Sequence, residues 1–240
     1  MGSKRRIRNC MQSDSLTIRV TGYIFDYIRD NELSTGESLP SELRTSTELN
    51  ISRGIVREAF RSLEVAGIID KGNGRSPKVG VLNSSFLTHL MLHAILTKQI
   101  SVRQVLELRS SIEGLAAELA ARRRTRSDIQ RLRTSVEGMK QSVNKPVTFV
   151  QHDLDFHDLI NRASGNPLIE VICEAMHESM EESMRVGLLK RRVRRDVVKV
   201  IESHELIVDA IEQGEAGLAG VLMKKHFDDA QAALARVQDE

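Results

Sequence analysis

Tryptophan is absent from the 240-residue sequence, aromatic residues make up only 3% of it, and it contains four prolines. β-Sandwiches rely on aromatic and β-branched side chains, so a hydrophobic fraction of 40% with so few aromatics favours packed helices. The small number of prolines permits long uninterrupted helices. These shortages predict a mainly α-helical protein.

Cysteine is almost as scarce, because only Cys10 and Cys173 occur, and two cysteines do not make a disulfide framework. No stretch approaches the ~20 apolar residues that are needed to cross a bilayer. The basic leader at residues 4–8 is not followed by the apolar segment of a secretory signal. The sequence therefore predicts a cytoplasmic protein with no membrane partner.

Length and charge favour a division into two parts. A chain of 240 residues is long for one small domain and comfortable for two. Residues 1–82 carry 13 Lys and Arg against 10 Asp and Glu, whereas the remainder carries 22 against 23. The small excess of positive charge lies at the front, as expected if that part meets phosphate.

Three helices are predicted in the first 70 residues. From Ser13 onward apolar side chains recur at helical spacing. A short second helix starts after Ser41, a residue type that caps helices, and a third starts after Ser52 and stops at Gly67. Because a tight turn joins the second helix to the third, the pattern is typical of a helix-turn-helix, in which the later helix enters the major groove.

Two arginines, Arg53 and Arg57, lie four residues apart on one face at the start of the third helix. Arginine binds guanine in a bidentate manner or contacts phosphate, whereas the alternative interpretation is an ordinary solvated basic face. Residues 68–71 and 78–81 are then predicted to form two short strands with Arg75 at the tip of their turn. A hairpin in this place is a wing.

Four stretches of this segment, residues 36–42, 51–53, 56–64 and 67–69, read GESLPSE, ISR, VREAFRSLE and GII. Together they resemble the winged helix-turn-helix of the GntR family of bacterial regulators. The resemblance implies binding to double-stranded operator DNA, with Arg53 and Arg57 in contact with it. The predicted domain covers residues 13–81, and its predicted DNA-binding residues are Ser41, Arg44, Ser52, Arg53, Arg57 and Arg75.

Several positions depart from the family pattern, and they leave the operator sequence open rather than the fold. Leu43 stands where the family usually has arginine, and Arg44 follows one step later. The other departures are Thr45 in place of a core leucine, Gly54-Ile55 in place of a Thr-Pro pair, and Ser76 in place of the last glycine of the wing.

Residues 86–236 are predicted to form a second domain, an all-α antiparallel bundle of six or seven helices. One of its helices, near residues 102–122, places Arg109 within an apolar stripe. A guanidinium there needs a partner, because burying it alone is costly. Glu113, one turn later, and an anionic ligand are both open as that partner. The stripe comprises Val105, Leu108, Ile112, Leu115, Ala116 and Leu119.

Histidines on three further helices are candidates for a metal site. Asp153 and His157 lie four residues apart on one helix face, His204 lies in the next-to-last helix and His226 in the last. Three imidazoles and one carboxylate suit Zn²⁺, Ni²⁺ or Mn²⁺ and leave open positions for water or an anion. Spacing alone does not single out this set, because seven histidines allow others.

The remaining histidines fit a metal site less well. His89 and His93 are four residues apart but have no carboxylate companion, so they are interpreted as structural or exposed. Glu174 and His177 form a Glu-x-x-His, an element that di-iron bundles use twice. It occurs once here and no general base stands out beside it. A metalloenzyme is the rival hypothesis that this element raises, and these two observations weigh against it.

The same region contains R-x-x-x-E at 109–113, DLDFH at 153–157, SGNP at 164–167, SH at 203–204 and MKKH at 223–226. These motifs resemble the FCD sensor domain of FadR-type regulators. The resemblance implies that Arg109 meets a carboxylate effector. It also implies a divalent metal ion, Zn²⁺ with Ni²⁺ or Mn²⁺ as alternatives, bound by Asp153, His157, His204 and His226.

These patterns together predict a transcriptional regulator rather than an enzyme. The expected protein is an effector-responsive repressor that binds a near-palindromic operator as a homodimer and senses a small carboxylate metabolite. Two alternatives stay open, which are a metal used only structurally and a metalloenzyme.

Overall fold

The computed structural model describes the backbone of residues 2–71, 76–190 and 194–238, and the side chains of residues 16–71, 76–180 and 197–233. Helices dominate these residues, which confirms the prediction of a mainly α-helical protein. The chain divides into two compact units, Met1–Phe86 and Leu87–Glu240. The elements are α1 Gly2–Asp30, α2 Glu42–Leu49, α3 Arg53–Val65, β1 Ile69–Asp70, β2 Lys78–Val79, α4 Ser85–Leu96, α5 Val102–Arg123, α6 Arg126–Gln141, α7 Pro146–Ala163, α8 Pro167–Lys190, α9 Arg194–Gln213 and α10 Ala216–Gln238.

The first unit is built on α1, α2 and α3, which share one apolar core. Ser41 caps α2, because its Oγ accepts a hydrogen bond from the backbone N of Arg44 at 3.2 Å. Asn50 ends α2 in the left-handed conformation, with φ 52°, and turns the chain into α3. The buried face of α3 recurs at helical spacing, and its members are Val56, Ala59, Phe60 and Leu63.

A small hairpin follows α3. Strands β1 and β2 pair antiparallel with Ile69 opposite Val79, and each is two residues long rather than the predicted four. The segment before α2 also joins this sheet, since the backbone N of Val79 donates to the carbonyl of Glu37. A Cβ on Gly80 would lie 2.1 Å from the carbonyl oxygen of Gly67, so only glycine fits there. The hairpin turn, with Arg75, lies outside the described residues.

The second unit contains seven helices, α4 to α10, within the part of the chain that the structure describes, in agreement with the predicted six or seven. Helix α5 packs along α10 and also against α7, α8 and α9. Hydrogen-bonded capping boxes start α5 at Ser101 and α6 at Thr125, and Pro146 opens α7. No helix among the described residues is both long and apolar enough to cross a membrane.

The apolar stripe predicted on α5 is wrong in part. Leu108 and Leu115 are 48% and 46% exposed. The face that packs into the bundle carries Arg109 and Glu113 instead, together with glycine and alanine. Small residues let α5 approach its neighbours closely, and the two opposite charges tolerate burial because they pair with each other. The buried residues of α5 are Val105, Leu106, Arg109, Glu113, Gly114, Ala116, Ala117, Ala120 and Ala121.

Candidate metal centre and DNA-binding surface

Helices α7, α9 and α10 bring four buried side chains to one point inside the second unit. Asp153, His157, His204 and His226 each offer one ligand atom, and these atoms lie within 4.8 Å of one another. They are the four residues that the resemblance to the FCD domain implied as metal ligands. The structure therefore places together a donor set that is spread over 74 residues of chain.

Hydrogen bonds fix the rings of His204 and His226. The Nδ1 of His204 lies 2.7 Å from the carbonyl oxygen of Val200, which can only accept, so this nitrogen carries the proton. The Nδ1 of His226 lies 2.9 Å from Ser203 Oγ, whose own hydroxyl donates to the carbonyl of Val200. Each ring then keeps the lone pair on Nε2, which is the atom that a metal ion needs.

Glu113 joins His157 to a chain of buried charges. His157 Nδ1 donates to Glu113 Oε2 at 2.5 Å, and Arg109 Nε donates to Glu113 Oε1 at 2.7 Å. His177 Nε2 lies 3.2 Å from the same Oε1, while its Nδ1 lies 2.7 Å from Asp158. Of the two partners left open for Arg109, the structure shows Glu113. His177, which the sequence did not explain, completes this chain.

The charges of this region follow from its contacts. Burial alone would raise the pKa of Glu113, but Arg109 and His157 hold it well below its ordinary value. Burial likewise opposes ionisation of Asp153, yet its interaction with His204 and the other two histidines lowers its pKa. Burial lowers the pKa of His157 and of His226. Charged carboxylates and neutral imidazoles are the protonation states that metal binding requires.

The chemistry of the four residues fits a divalent ion. His204 Nε2 is buried and has no hydrogen-bond partner among the described residues, although it lies 3.2 Å from Asp153 Oδ1. Nitrogen lone pairs and a carboxylate that face one another repel unless a cation lies between them. Three imidazoles and one carboxylate are typical ligands of Zn²⁺ and of neighbouring transition metals.

In the first unit, the arginines at the start of α3 are accessible. Arg53 and Arg57 are exposed, and the Arg57 side chain keeps 72% of its surface in solvent. Glu42 on α2 lies 3.7 Å from Arg57 Nε and also contacts Lys71. Glu42 thus links α3 to the base of the hairpin, a contact that the sequence did not predict.

The other predicted DNA-binding residues have different surroundings. Ser52 lies at the cap position of α3, but its side chain makes no capping hydrogen bond. Arg44 turns towards α1, because its Nε pairs with Glu48 at 2.7 Å and its guanidinium lies 5.7 Å from the centre of the Tyr27 ring. DNA contact by Arg44 stays a prediction. Arg75 lies outside the described residues.

Comparisons with known proteins agree with both units. Residues 16–79 match the model of the bacterial regulatory proteins of the gntR family, and residues 104–229 match the FCD domain. The chain belongs to the GntR family. Its second unit is an FCD domain, the effector-binding part of such regulators. The resemblances that the sequence showed are thereby confirmed.

Curated relatives of this GntR regulator span most of its length. It is 26% identical over 217 residues to the HTH-type transcriptional regulator LutR of Bacillus subtilis, and this alignment covers 89% of this chain and 98% of LutR. It is 30% identical over 192 residues to the Glc operon transcriptional activator of Escherichia coli, covering 78% and 76% of the two chains. It is 27% identical over 208 residues to the transcriptional repressor NanR of Salmonella newport, covering 85% and 80%.

A solved structure shows the same fold. Superposition on the solved structure named Streptococcus agalactiae GntR gives a TM-score of 0.63 at 22% sequence identity. The match covers 90% of this chain and 99% of the other chain. The family and these relatives are transcription regulators and not enzymes. The metalloenzyme hypothesis is therefore set aside.

Proposed function

We propose that this regulator is a metal-dependent sensor of a small carboxylate and represses its target genes until that effector binds. The observation that carries the proposal is the convergence of Asp153, His157, His204 and His226 within 4.8 Å, inside the FCD domain of a DNA-binding protein. A buried donor set of this kind would give the FCD domain a ligand-binding centre that is separate from the DNA-binding unit.

DNA recognition is assigned to the first unit. Arg53 and Arg57 would reach base edges or phosphates from the start of α3, since both are exposed on one side of it. Ser41 and Ser52, at the starts of α2 and α3, would contact phosphate, and Arg44 and Arg75 would add contacts at the periphery. One such unit makes few contacts, so a homodimer would read the two halves of a near-palindromic operator in the bacterial cytoplasm.

The metal ion, for which we propose Zn²⁺, would be held by Asp153 and the Nε2 atoms of His157, His204 and His226. When bound, it would supply a Lewis-acidic centre with open coordination positions for a carboxylate. Ser203, Val200 and Glu113 would hold the three rings in the required orientation. Ni²⁺ and Mn²⁺ are the alternatives that the same ligands accommodate.

Charge balance favours an effector with a single negative charge. A divalent ion and Arg109 bring three positive charges into the interior, against one negative charge each on Asp153 and Glu113. Asp158 and His177 compensate each other, since their contact raises the pKa of His177 although burial and Arg109 oppose it. One positive charge is left over, and a monocarboxylate neutralises it. Arg109 would support that carboxylate from α5.

The response requires that the effector binds two arrangements of the dimer with different affinity. The proposed ligands lie on α7, α9 and α10, so closure of these helices on the metal and the effector would favour one arrangement. We propose that this arrangement spaces the two DNA-binding units wrongly for the operator. Effector binding then releases the DNA, which makes the protein a repressor.

The test uses full-length protein and a duplex that the protein itself selects from random DNA. Operator affinity is measured by fluorescence anisotropy with Zn²⁺-loaded and chelator-treated protein, with and without short monocarboxylates. We expect a monocarboxylate to weaken operator binding of the loaded protein only, and Arg109→Lys, which keeps a charge beside Glu113 but loses the guanidinium, to diminish that response. If chelation lowers the melting temperature but no carboxylate changes DNA binding, the metal is structural and the sensing proposal is wrong.

A further inference from the structure

Asn161 lies on the same face of α7 as two of the proposed metal ligands. Asp153, His157 and Asn161 follow one another at intervals of four residues, so Asn161 lies one turn beyond His157, about 6 Å along the helix axis. Its side chain is 1% exposed. Neither Oδ1 nor Nδ2 has a hydrogen-bond partner among the residues that the structure describes.

An unpaired buried amide is unusual, because almost all buried polar atoms of native proteins are paired. The polar neighbours of this residue along the chain are paired. His157 donates to Glu113, and Ser164 Oγ donates to the main-chain carbonyl of Asn161 at 2.5 Å. The amide of the Asn161 side chain, with its donor and its acceptor, is without such a contact among the residues that the structure describes. A bound group that satisfies both atoms would remove the penalty.

We propose that the Asn161 amide binds a neutral polar group on the effector, which is therefore a short monocarboxylate that also carries a hydroxyl or an amide. This inference rests on the proposed carboxylate sensing. An amide pairs well with a hydroxyl or another amide, because each side offers both a donor and an acceptor. A spacing of about 6 Å between the levels of His157 and Asn161 suits two to three carbons between the two groups of the effector.

The experiment measures binding to Zn²⁺-loaded full-length protein by calorimetry. The probes are butanoate, its terminally hydroxylated counterpart, the monoamide of succinate, and succinate itself. We expect wild-type protein to bind the two neutral polar-ended probes about tenfold more tightly than butanoate, as one hydrogen bond to an otherwise unpaired group implies. Succinate should bind less tightly than its monoamide, since its second charge has no compensation.

The test variant is Asn161→Leu, with Asn161→Ala as a second variant in case leucine prevents folding. Either should retain butanoate binding and reduce the tenfold preference to about one. Asn161→Leu should also raise the melting temperature of the ligand-free protein by about 2–4 °C, because the unpaired amide is gone. Ser179→Ala is the matched control, since Ser179 is buried in the same bundle but donates to the carbonyl of Met176. It should keep the preference.

Each other outcome has a definite meaning. If butanoate binds but the polar-ended probes bind no better, the Asn161 inference is wrong while carboxylate sensing stands. If a folded Asn161 variant, leucine or alanine, keeps the preference, the amide does not contact the effector and the inference is again wrong. If no probe binds the loaded protein, carboxylate sensing fails and the Asn161 inference fails with it.

Discussion

Arg53 and Arg57 on α3 and the pair Arg109 and Glu113 on α5 have the same spacing, four residues along a helix, in opposite surroundings. The side chains on α3 lie in solvent, whereas Arg109 and Glu113 are 1% and 0% exposed. A solvated charge adds little to stability and stays available to a partner, while a buried charge depends on its neighbour. Removal of one charge should therefore impair DNA binding in the first unit, whereas in the second unit it should impair folding.

The largest effect is expected from Glu113→Ala. It would leave Arg109 buried without its carboxylate and would free Nδ1 of His157, so the free energy of unfolding of the second unit should fall by about 3–5 kcal/mol. Zn²⁺ affinity should fall about 10–100-fold, because the ring of His157 loses the group that orients it. Chemical denaturation and competition with a metal indicator measure the two changes.

Glu118→Ala is the matched control. Glu118 also lies on α5 and also pairs with an arginine four residues away, at 3.6 Å, but the Arg122 side chain is 58% exposed. Its loss should change the unfolding free energy by no more than about 1 kcal/mol. Equal costs for Glu113→Ala and Glu118→Ala would show that burial does not set the cost of removing a charge from an ion pair.

On α3 the effect should appear in binding and not in stability. Arg57→Ala, and separately Arg53→Ala, should weaken operator binding by about 1–3 kcal/mol, or roughly 5–150-fold, and change the unfolding free energy by less than about 0.5 kcal/mol. Anisotropy titration and denaturation check the two halves of this prediction. Arg29→Ala, on an exposed arginine at the end of α1, should change neither quantity. Loss of stability without loss of DNA binding would contradict the assignment of Arg53 and Arg57 to the DNA-binding surface.

Acid should weaken the metal-free second unit. Burial lowers the pKa of His157 and of His226, so below about pH 6.5 the unfolded chain takes up protons there that the folded chain does not. His177 has a raised pKa, so below about pH 6.5 it is protonated in both the folded and the unfolded chain and does not contribute to the slope there. The two groups with lowered pKa values each remove up to about 1.4 kcal/mol of stability per pH unit below pH 6.5, so together the loss approaches about 2.7 kcal/mol per pH unit.

Denaturation of chelator-treated protein at several pH values between about 7 and 5.5 measures this slope. His226→Gln removes one of the two groups with a lowered pKa, so it should reduce the slope to about half. A stability that rises on acidification would contradict the assignment of neutral His157 and His226.

The sequence predicts the two units unequally well for a physical reason. A helix-turn-helix is a local structure, so Ser41, Asn50 and Gly67 mark its helix ends within a short contiguous segment. The metal ligands could be named only through resemblance to a family, because their convergence depends on how three distant helices pack. His177 could not be assigned, since its partner Glu113 lies 64 residues away on another helix.

The orientation of α5 shows the same limit. Hydrophobicity places Leu108 and Leu115 inside, because a pattern of apolar residues carries no information about a buried ion pair. Closely packed alanine and glycine decide which face turns inward. Asn161 likewise looks ordinary in the sequence, and only its burial without a partner distinguishes it.

The smallest expected effect separates two serines that the sequence treats alike. Ser41 and Ser52 both stand at the start of a helix of the first unit, yet only Ser41 caps its helix through its side chain. Ser41→Ala should lower the unfolding free energy by about 1 kcal/mol, whereas Ser52→Ala should leave it nearly unchanged.

Ser52→Ala therefore isolates the contribution of a hydroxyl to DNA binding. If that hydroxyl contacts phosphate, the variant should weaken binding to operator and to random DNA alike and leave the salt dependence unaltered, because no charge is lost. A weakened operator complex with unchanged binding to random DNA would instead place Ser52 at a base edge.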